Sequence, residues 1–262
     1  MEYTTILFDV RNGVARITLN RPQVANSLNL NMARDLMYAA LHCREDSTIR
    51  AVVITGMKST FCAGGDLKDF ISQGEQLPYY LQEMTTHFHA ALSRLTRMNQ
   101  PVVAAVNGVA AGAGMSLACA CDFVLAAESA RFTMAYAQAG VTPDGASTYF
   151  LPRIVGFKRA LELTLTNRIL SAQEAFDWGI VTRVVPDTEL LVQADALAGQ
   201  FAAGATKALG ASKRLLHSGW TGTLETQMEQ ESLTIAEMAR TSDAHEGITA
   251  FVEKRIPKFK GS

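Results

Sequence analysis

Two short runs constrain this chain more than anything else in it. Residues 51–55 (AVVIT) and 102–106 (VVAAV) are apolar at nearly every position rather than at alternate ones. A strand with one wet face alternates, whereas an unbroken apolar run bounded by turn residues belongs to a strand covered on both faces. Each run opens into a glycine-rich segment. The first ends in Gly56 and leads to residues 61–66 (FCAGGD); the second leads through Asn107-Gly108 into 109–114 (VAAGAG).

Other elements follow from local patterning. Residues 4–19 read as a hairpin: Ile6, Phe8 and Val10 alternate, Asn12-Gly13 supplies a type I′ turn, and Val14 to Leu19 returns. Met32, Leu36, Ala40 and Leu41 recur at helical spacing behind the cap residue Asn29. Helices are predicted over 79–97, from the glycine-rich turn to about Ala120, and over about 157–180, with a stop at Gly179. Strands are predicted at 123–126 and at 180–185, the latter bounded by Pro186. Strands alternating with helices define an α/β class. Beyond about residue 188 the pattern is helical only, with Leu224, Met228, Ile235 and Met238 marking an amphipathic stretch. The expected organisation is a core over 1–187 and a C-terminal helical region over 188–262.

A chain of 262 residues, 48% apolar, can bury a large core. Its 24 Lys and Arg against 25 Asp and Glu are dispersed and leave a net charge of −1, so neither nucleic acid nor an anionic membrane is expected as a partner. Cys43, Cys62, Cys119 and Cys121 form no C-x-x-C pair and no zinc spacing. They read as buried, reduced thiols of a cytoplasmic protein, and no metal is expected. The N-terminus, with Glu2 and Asp9, shows no apolar signal segment. The 24 uncharged residues from 98 to 121 have the length of a membrane span. They are mostly Ala, Gly and Val, however, and include Asn99, Gln100, Pro101 and Asn107, which suits a buried strand followed by a tightly packed helix.

Three motifs invite chemical readings and are declined. The turn from Gly108 to Gly114 has the order G-x-x-x-G-x-G rather than the dinucleotide order G-x-G-x-x-G. Gly114-Met115-Ser116-Leu117-Ala118 lacks the second glycine of a nucleophile elbow, and Ser116 reads as a serine packed at a helix start. His87 and His89 stand two apart on a helix and face different sides, so they cannot share a metal.

Taken together and in order, the glycine-rich segments resemble the enoyl-CoA hydratase/isomerase, or crotonase, superfamily. The residues that carry the resemblance are 61–67 (FCAGGDL), 101–122 (PVVAAVNGVAAGAGMSLACACD), 130–132 (ARF), 140–145 (GVTPDG), 151–156 (LPRIVG), 170–175 (LSAQEA) with 178–181 (WGIV), and 246–251 (EGITAF). They span essentially the whole chain. The resemblance implies a spiral of ββα units with C-terminal helices, an acyl-CoA substrate, coenzyme A only as part of that substrate, and a homotrimer or hexamer. It also implies two backbone N–H donors, Gly65 and Ala113, for an enolate oxygen. Contacts to the thioester are implied at Ala25, Ala63, Asp66, Leu67, Gly114 and Tyr136.

The chain departs from the hydratase pattern where chemistry is decided. Hydratases of this family use two glutamates, and Ser116 and Tyr136 stand in their places. One carboxylate remains at an alternative family position, Asp144. Enoyl-CoA isomerases and the isomerase of ring-epoxidised phenylacetyl-CoA carry their single acid/base there. The expectation is an isomerase with Asp144 as proton shuttle and an apolar wall of Phe132, Met134, Tyr136 and Phe150 around it. The alternatives are a 4-chlorobenzoyl-CoA dehalogenase-like enzyme, with Asp144 as nucleophile and His89 as base, a hydratase, and a non-catalytic acyl-CoA binder.

Overall fold

The computed structural model describes residues 2–262. Strands β1 (Ile6–Arg11) and β2 (Val14–Leu19) form the hairpin, turning through Asn12 and Gly13 with φ of 52° and 76°. Helix α1 (Leu30–Glu45) starts where the Asn29 side chain accepts the Met32 N–H at 3.0 Å. Strand β3 (Ala51–Gly56) then leads to β4 (Thr60–Cys62), α2 (Leu67–Ser72) and α3 (Leu77–Arg97). Strand β5 (Val102–Val106) leads to β6 (Val109–Ala111) and α4 (Ala113–Ala120). Strand β7 (Phe123–Ala127) leads to β8 (Arg131–Thr133), α5 (Ser147–Val155) and α6 (Phe157–Thr166). After β9 (Leu170–Ser171), α7 (Ala172–Asp177) and β10 (Arg183–Val185), the chain continues as α8 (Leu190–Ala202), α9 (Thr206–Ser218), α10 (Leu224–Met238) and α11 (Ser242–Val252).

Two sheets result. The larger has the order β1-β2-β3-β5-β7-β10, parallel from β2 onward; the smaller has the order β4-β6-β8-β9. Each of β3, β5 and β7 is followed within a few residues by its counterpart in the smaller sheet, in the same spatial order. Repeated with a helix after each pair, this winds the chain as a spiral of ββα units. The smaller sheet is absent from the sequence reading, because strands of two or three residues are too short to show a period of two. For the same reason the stretch over 157–180 is not one helix: α6 ends at Thr166 and β9 intervenes. Helix α7 restarts with a reciprocal cap between Ser171 and Glu174.

The unbroken apolar runs are explained by packing on both sides. Val52, Ile54, Val102, Ala104 and Val106 join the core shared with α1, α3 and α4. Their alternates, Ala51, Val53, Val103 and Ala105, face a second core against Leu190, Ala194, Ala198 and Ala202 of α8. The alanines recur every four residues, forming one smooth stripe that seats the helix on the sheet. Helix α8 is thus a layer of the core, although the helical texture begins with it. Helix α10 buries none of its side chains. Among the described residues no helix is long and apolar enough to cross a membrane.

A buried ion pair ties α9 to the core. Lys213 Nζ lies 2.7 Å from Asp122 Oδ2 and donates to the Leu95 carbonyl at 2.8 Å, while Asp122 also accepts the Val102 N–H at 2.8 Å. Burial pushes the Asp122 carboxyl up and the Lys213 ammonium down, and each draws the other back toward its charged form. Lys213→Met removes one partner and leaves the other buried. A loss of about 3–5 kcal/mol is expected, read as a lower urea midpoint at unchanged slope.

Candidate active site

The two glycine-rich loops meet beneath a cavity of about 770 Å³. The first is held by a parallel bridge in which Leu28 donates its N–H to the Gly64 carbonyl (2.7 Å) and accepts the Asp66 N–H (2.9 Å). In a parallel ladder the residue between two such bonds points its own N–H away from the partner strand. Gly65 lines the cavity, and its N–H has no acceptor among the described residues. In the second loop, Gly112 adopts φ 51°, ψ −119°, a conformation that side-chain-bearing residues avoid. It places Ala113 first in α4, where an N–H has no acceptor within the helix. Ala113 also lines the cavity, and its N–H has no acceptor among the described residues. The eight residues of α4 are all buried, and its N-terminal dipole favours negative charge at that end. Two free donors on adjoining loops suit an oxygen that gains negative charge.

Asp144 enters the same cavity from the loop before α5. Its carbonyl accepts the Ser116 hydroxyl at 3.0 Å and the Ser147 hydroxyl at 2.8 Å. Its carboxylate takes the Tyr136 hydroxyl on Oδ1 at 2.5 Å, and Tyr136 OH in turn lies 2.8 Å from Ser116 Oγ. Burial, then the nearby Asp144 charge, raises the Tyr136 phenol far above its ordinary range, so it keeps its proton. Ser116 is fully buried. Its sequence context suggests packing alone, because nothing near position 116 signals contact with a loop 28 residues away.

His89 stands behind this loop. The Gly145 N–H donates to its Nε2 at 3.1 Å, so Nε2 is the unprotonated ring nitrogen in this network, and Asp144 Oδ2 lies 3.8 Å from it. His89 lines not the main cavity but a second one of about 710 Å³, with Phe150, Tyr149 and His217.

Of the expected contact residues, Ala63, Leu67 and Tyr136 line the main cavity, and Ala25, Asp66 and Gly114 do not. The Ala25 carbonyl accepts the Ala63 N–H, which makes it a support of the loop. Asp66 is buried and its carboxylate is spent: Oδ2 meets Arg21 at 2.8 Å, and Oδ1 caps α2 through the Asp69 N–H. Gly114 lies against strand β4, where a Cβ would sit 2.2 Å from the Cys62 carbonyl oxygen. The expected apolar wall is corrected in part. Phe132 and Met134 are core residues and Phe150 borders the second cavity, which leaves Tyr136 beside Asp144. Leu28, Phe70, Leu81, Met84 and Val141 supply the apolar lining instead. These come from loop segments and from α2 and α3, whose facing the sequence period does not reveal.

Comparison with known proteins agrees with this architecture. Residues 9–262 match the family described as enoyl-CoA hydratase/isomerase. A probable enoyl-CoA hydratase of Rhodobacter capsulatus is 40% identical over 261 residues, covering 100% of both chains. The 1,2-epoxyphenylacetyl-CoA isomerase of Escherichia coli is 40% identical over 257 residues, covering 98% of each. The crystal structure of an enoyl-CoA hydratase from a Polaromonas species superposes with a TM-score of 0.93 at 34% identity, covering 97% of this chain and 99% of that one. The chain belongs to the enoyl-CoA hydratase/isomerase family, within the crotonase superfamily. It is an enzyme of that family, whose substrates are acyl-CoA thioesters.

Because Gly114 backs the two donor loops, Gly114→Ala should wedge them apart. A loss of about 1–3 kcal/mol of stability is expected, together with weaker acyl-CoA binding in calorimetric titration. Gly199→Ala, in α8 with open space around the added carbon, should leave binding unchanged.

Proposed function

We propose that this enzyme is an acyl-CoA isomerase that moves a proton between two carbons of the acyl group through an enolate. Asp144 acts as the single acid and base, and the Gly65 and Ala113 N–H groups receive the enolate oxygen. One observation carries the reading: among the described residues, Asp144 is the only carboxylate lining the cavity that holds the two free N–H donors. A 1,3-shift needs one base, which takes the proton from one carbon and returns it to the other. Water addition by the hydratase route uses two carboxylates, and the corresponding positions carry the Ser116 and Tyr136 hydroxyls. The isomerase activity in the name of the Escherichia coli relative is consistent with this choice. The dehalogenase reading asks His89 to activate water, and its unprotonated nitrogen already accepts the Gly145 N–H. Ala63 and Leu67 border the route taken by the coenzyme A portion, which enters as part of the substrate. No separate cofactor takes part in this scheme.

Asp144→Asn keeps the size and hydrogen bonding of the side chain but removes the base. Isomerisation of a 3-enoyl-CoA should fall by on the order of 10²–10⁴, while affinity for an acyl-CoA ligand stays nearly constant. His89→Gln can keep the Gly145 contact through its amide oxygen and should lose little. Isomerisation that survives Asp144→Asn would sink the one-base scheme in favour of another carboxylate or a binder.

The same proposal includes assembly. Leu224, Met228, Leu233 and Ile235 of α10 and Phe251 of α11 are exposed in the single chain, Phe251 at 86%. Apolar surface on this scale suits a homotrimer or a hexamer. Light scattering at micromolar concentration should give three or six times the chain mass, and a monomer would contradict it.

A further inference from the structure

We infer that Tyr136 and Ser116 are positioning residues for Asp144, holding Oδ1 and the backbone of that residue so that Oδ2 alone carries the moving proton. The inference rests on the isomerase reading above. It follows from a count of hydrogens. Tyr136 OH has two polar neighbours, Asp144 Oδ1 at 2.5 Å and Ser116 Oγ at 2.8 Å, and one hydrogen. A carboxylate accepts and cannot donate, so the phenol hydrogen goes to Oδ1. The single Ser116 hydrogen then has three acceptors within reach: the Tyr136 oxygen, the Asp144 carbonyl at 3.0 Å and the Gly112 carbonyl at 3.2 Å. Two of these bear on Asp144, one directly and one through the phenol. Asp144 is therefore held at one carboxylate oxygen by Tyr136, and at its main-chain carbonyl by the Ser147 hydroxyl at 2.8 Å together with Ser116 of the buried helix α4.

Among the described residues Oδ2 has no such partner. The nearest polar atom recorded for it is His89 Nε2 at 3.8 Å, beyond hydrogen-bond reach, and that nitrogen already accepts from Gly145. The consequence for the reaction is a division of labour within one carboxylate. In the first half, a C–H bond beside the thioester breaks, its electron pair enters the enolate, and the proton bonds to Oδ2. In the second half, the Oδ2–H bond breaks and the enolate electrons form a C–H bond at the other carbon. Nothing else is consumed. The Tyr136 bond to Oδ1 persists through both halves, since a protonated carboxyl still accepts on its other oxygen. A phenol is suited to this task because it does not compete for the travelling proton. The pair occupies the two positions where the hydratase pattern carries glutamates, and the hydroxyls there serve the single carboxylate, Asp144, rather than acting on water.

A double-mutant cycle on the full-length chain tests the inference, with 3-enoyl-CoA isomerisation followed at saturating and limiting substrate. Tyr136→Phe should lower kcat by about 10- to 100-fold with KM within about threefold, the signature of a lost orientation rather than lost binding. In the Asp144→Asn background the same change should alter the residual rate by less than about twofold, because the group it positions has gone. Ser116→Ala removes a single oxygen and runs the same cycle should Tyr136→Phe fold poorly. A smaller loss, about three- to tenfold, is expected, and it too should vanish when Ser116→Ala is combined with Asp144→Asn. Wild-type kcat in both single variants, or equal losses with and without the Asp144 carboxylate, would overturn the inference while leaving the isomerase reading in place. If Asp144→Asn alone keeps full activity, the isomerase reading fails, and the inference falls with it.

Discussion

The bridge that Leu28 makes to the peptide groups on either side of Gly65 governs the geometry of everything near the site. By taking the Gly64 carbonyl and the Asp66 N–H, it turns the Gly65 N–H away from residue 28, and Gly65 lines the cavity. The neighbouring loop reaches the same place through Gly112, whose positive φ starts α4 at Ala113. The two N–H groups adjoin only while the loops stay together, and Gly114 lets α4 press against the Cys62 carbonyl. A pair of backbone groups that would cost free energy if left unpaired in a dry core is acceptable here because it opens on a cavity where water or ligand can meet it.

The loops are stable because they end strands that cannot easily move. Strands β3 and β5 are packed on both faces, by the main core on one side and by the alanine stripe of α8 on the other. Close-packed protein interiors transmit small displacements rather than absorbing them, which holds the loop ends in place. The Lys213–Asp122 pair extends the same logic to α9, anchoring it at the start of β5 rather than leaving it as a surface helix.

The polar side of the site is economical in charge. Asp144 is the one carboxylate lining the cavity among the described residues, and three hydroxyls, of Tyr136, Ser116 and Ser147, hold it without adding a second charge. Asp66, which the family pattern marks as a ligand contact, is turned inward to Arg21 and shapes its loop from below. One short motif therefore buries the side chain of Asp66 and leaves its neighbour Gly65 lining the cavity. The fate of the side chain depends on which partner lies behind the loop.

Much of this protein is decided by its sequence alone. The doubly buried strands, the Asn12-Gly13 hairpin, the helix behind Asn29 and the two glycine-rich turns follow from local patterning, since each depends on residues within one or two turns of chain. The family, and with it the candidates Gly65, Ala113 and Asp144, is legible because its motifs recur in order along the whole length. The tertiary structure decided what depends on distance. It added the smaller sheet, whose strands are too short to have a period, and set α8 into the core, where the composition suggested only a change of texture. It also brought Ser116, Tyr136 and Asp144 together from three separate segments, and left Ala25, Asp66 and Gly114 behind the cavity wall. Residue types limit what a side chain is able to donate or accept, but only the folded chain determines which atom lies within hydrogen-bond reach of it.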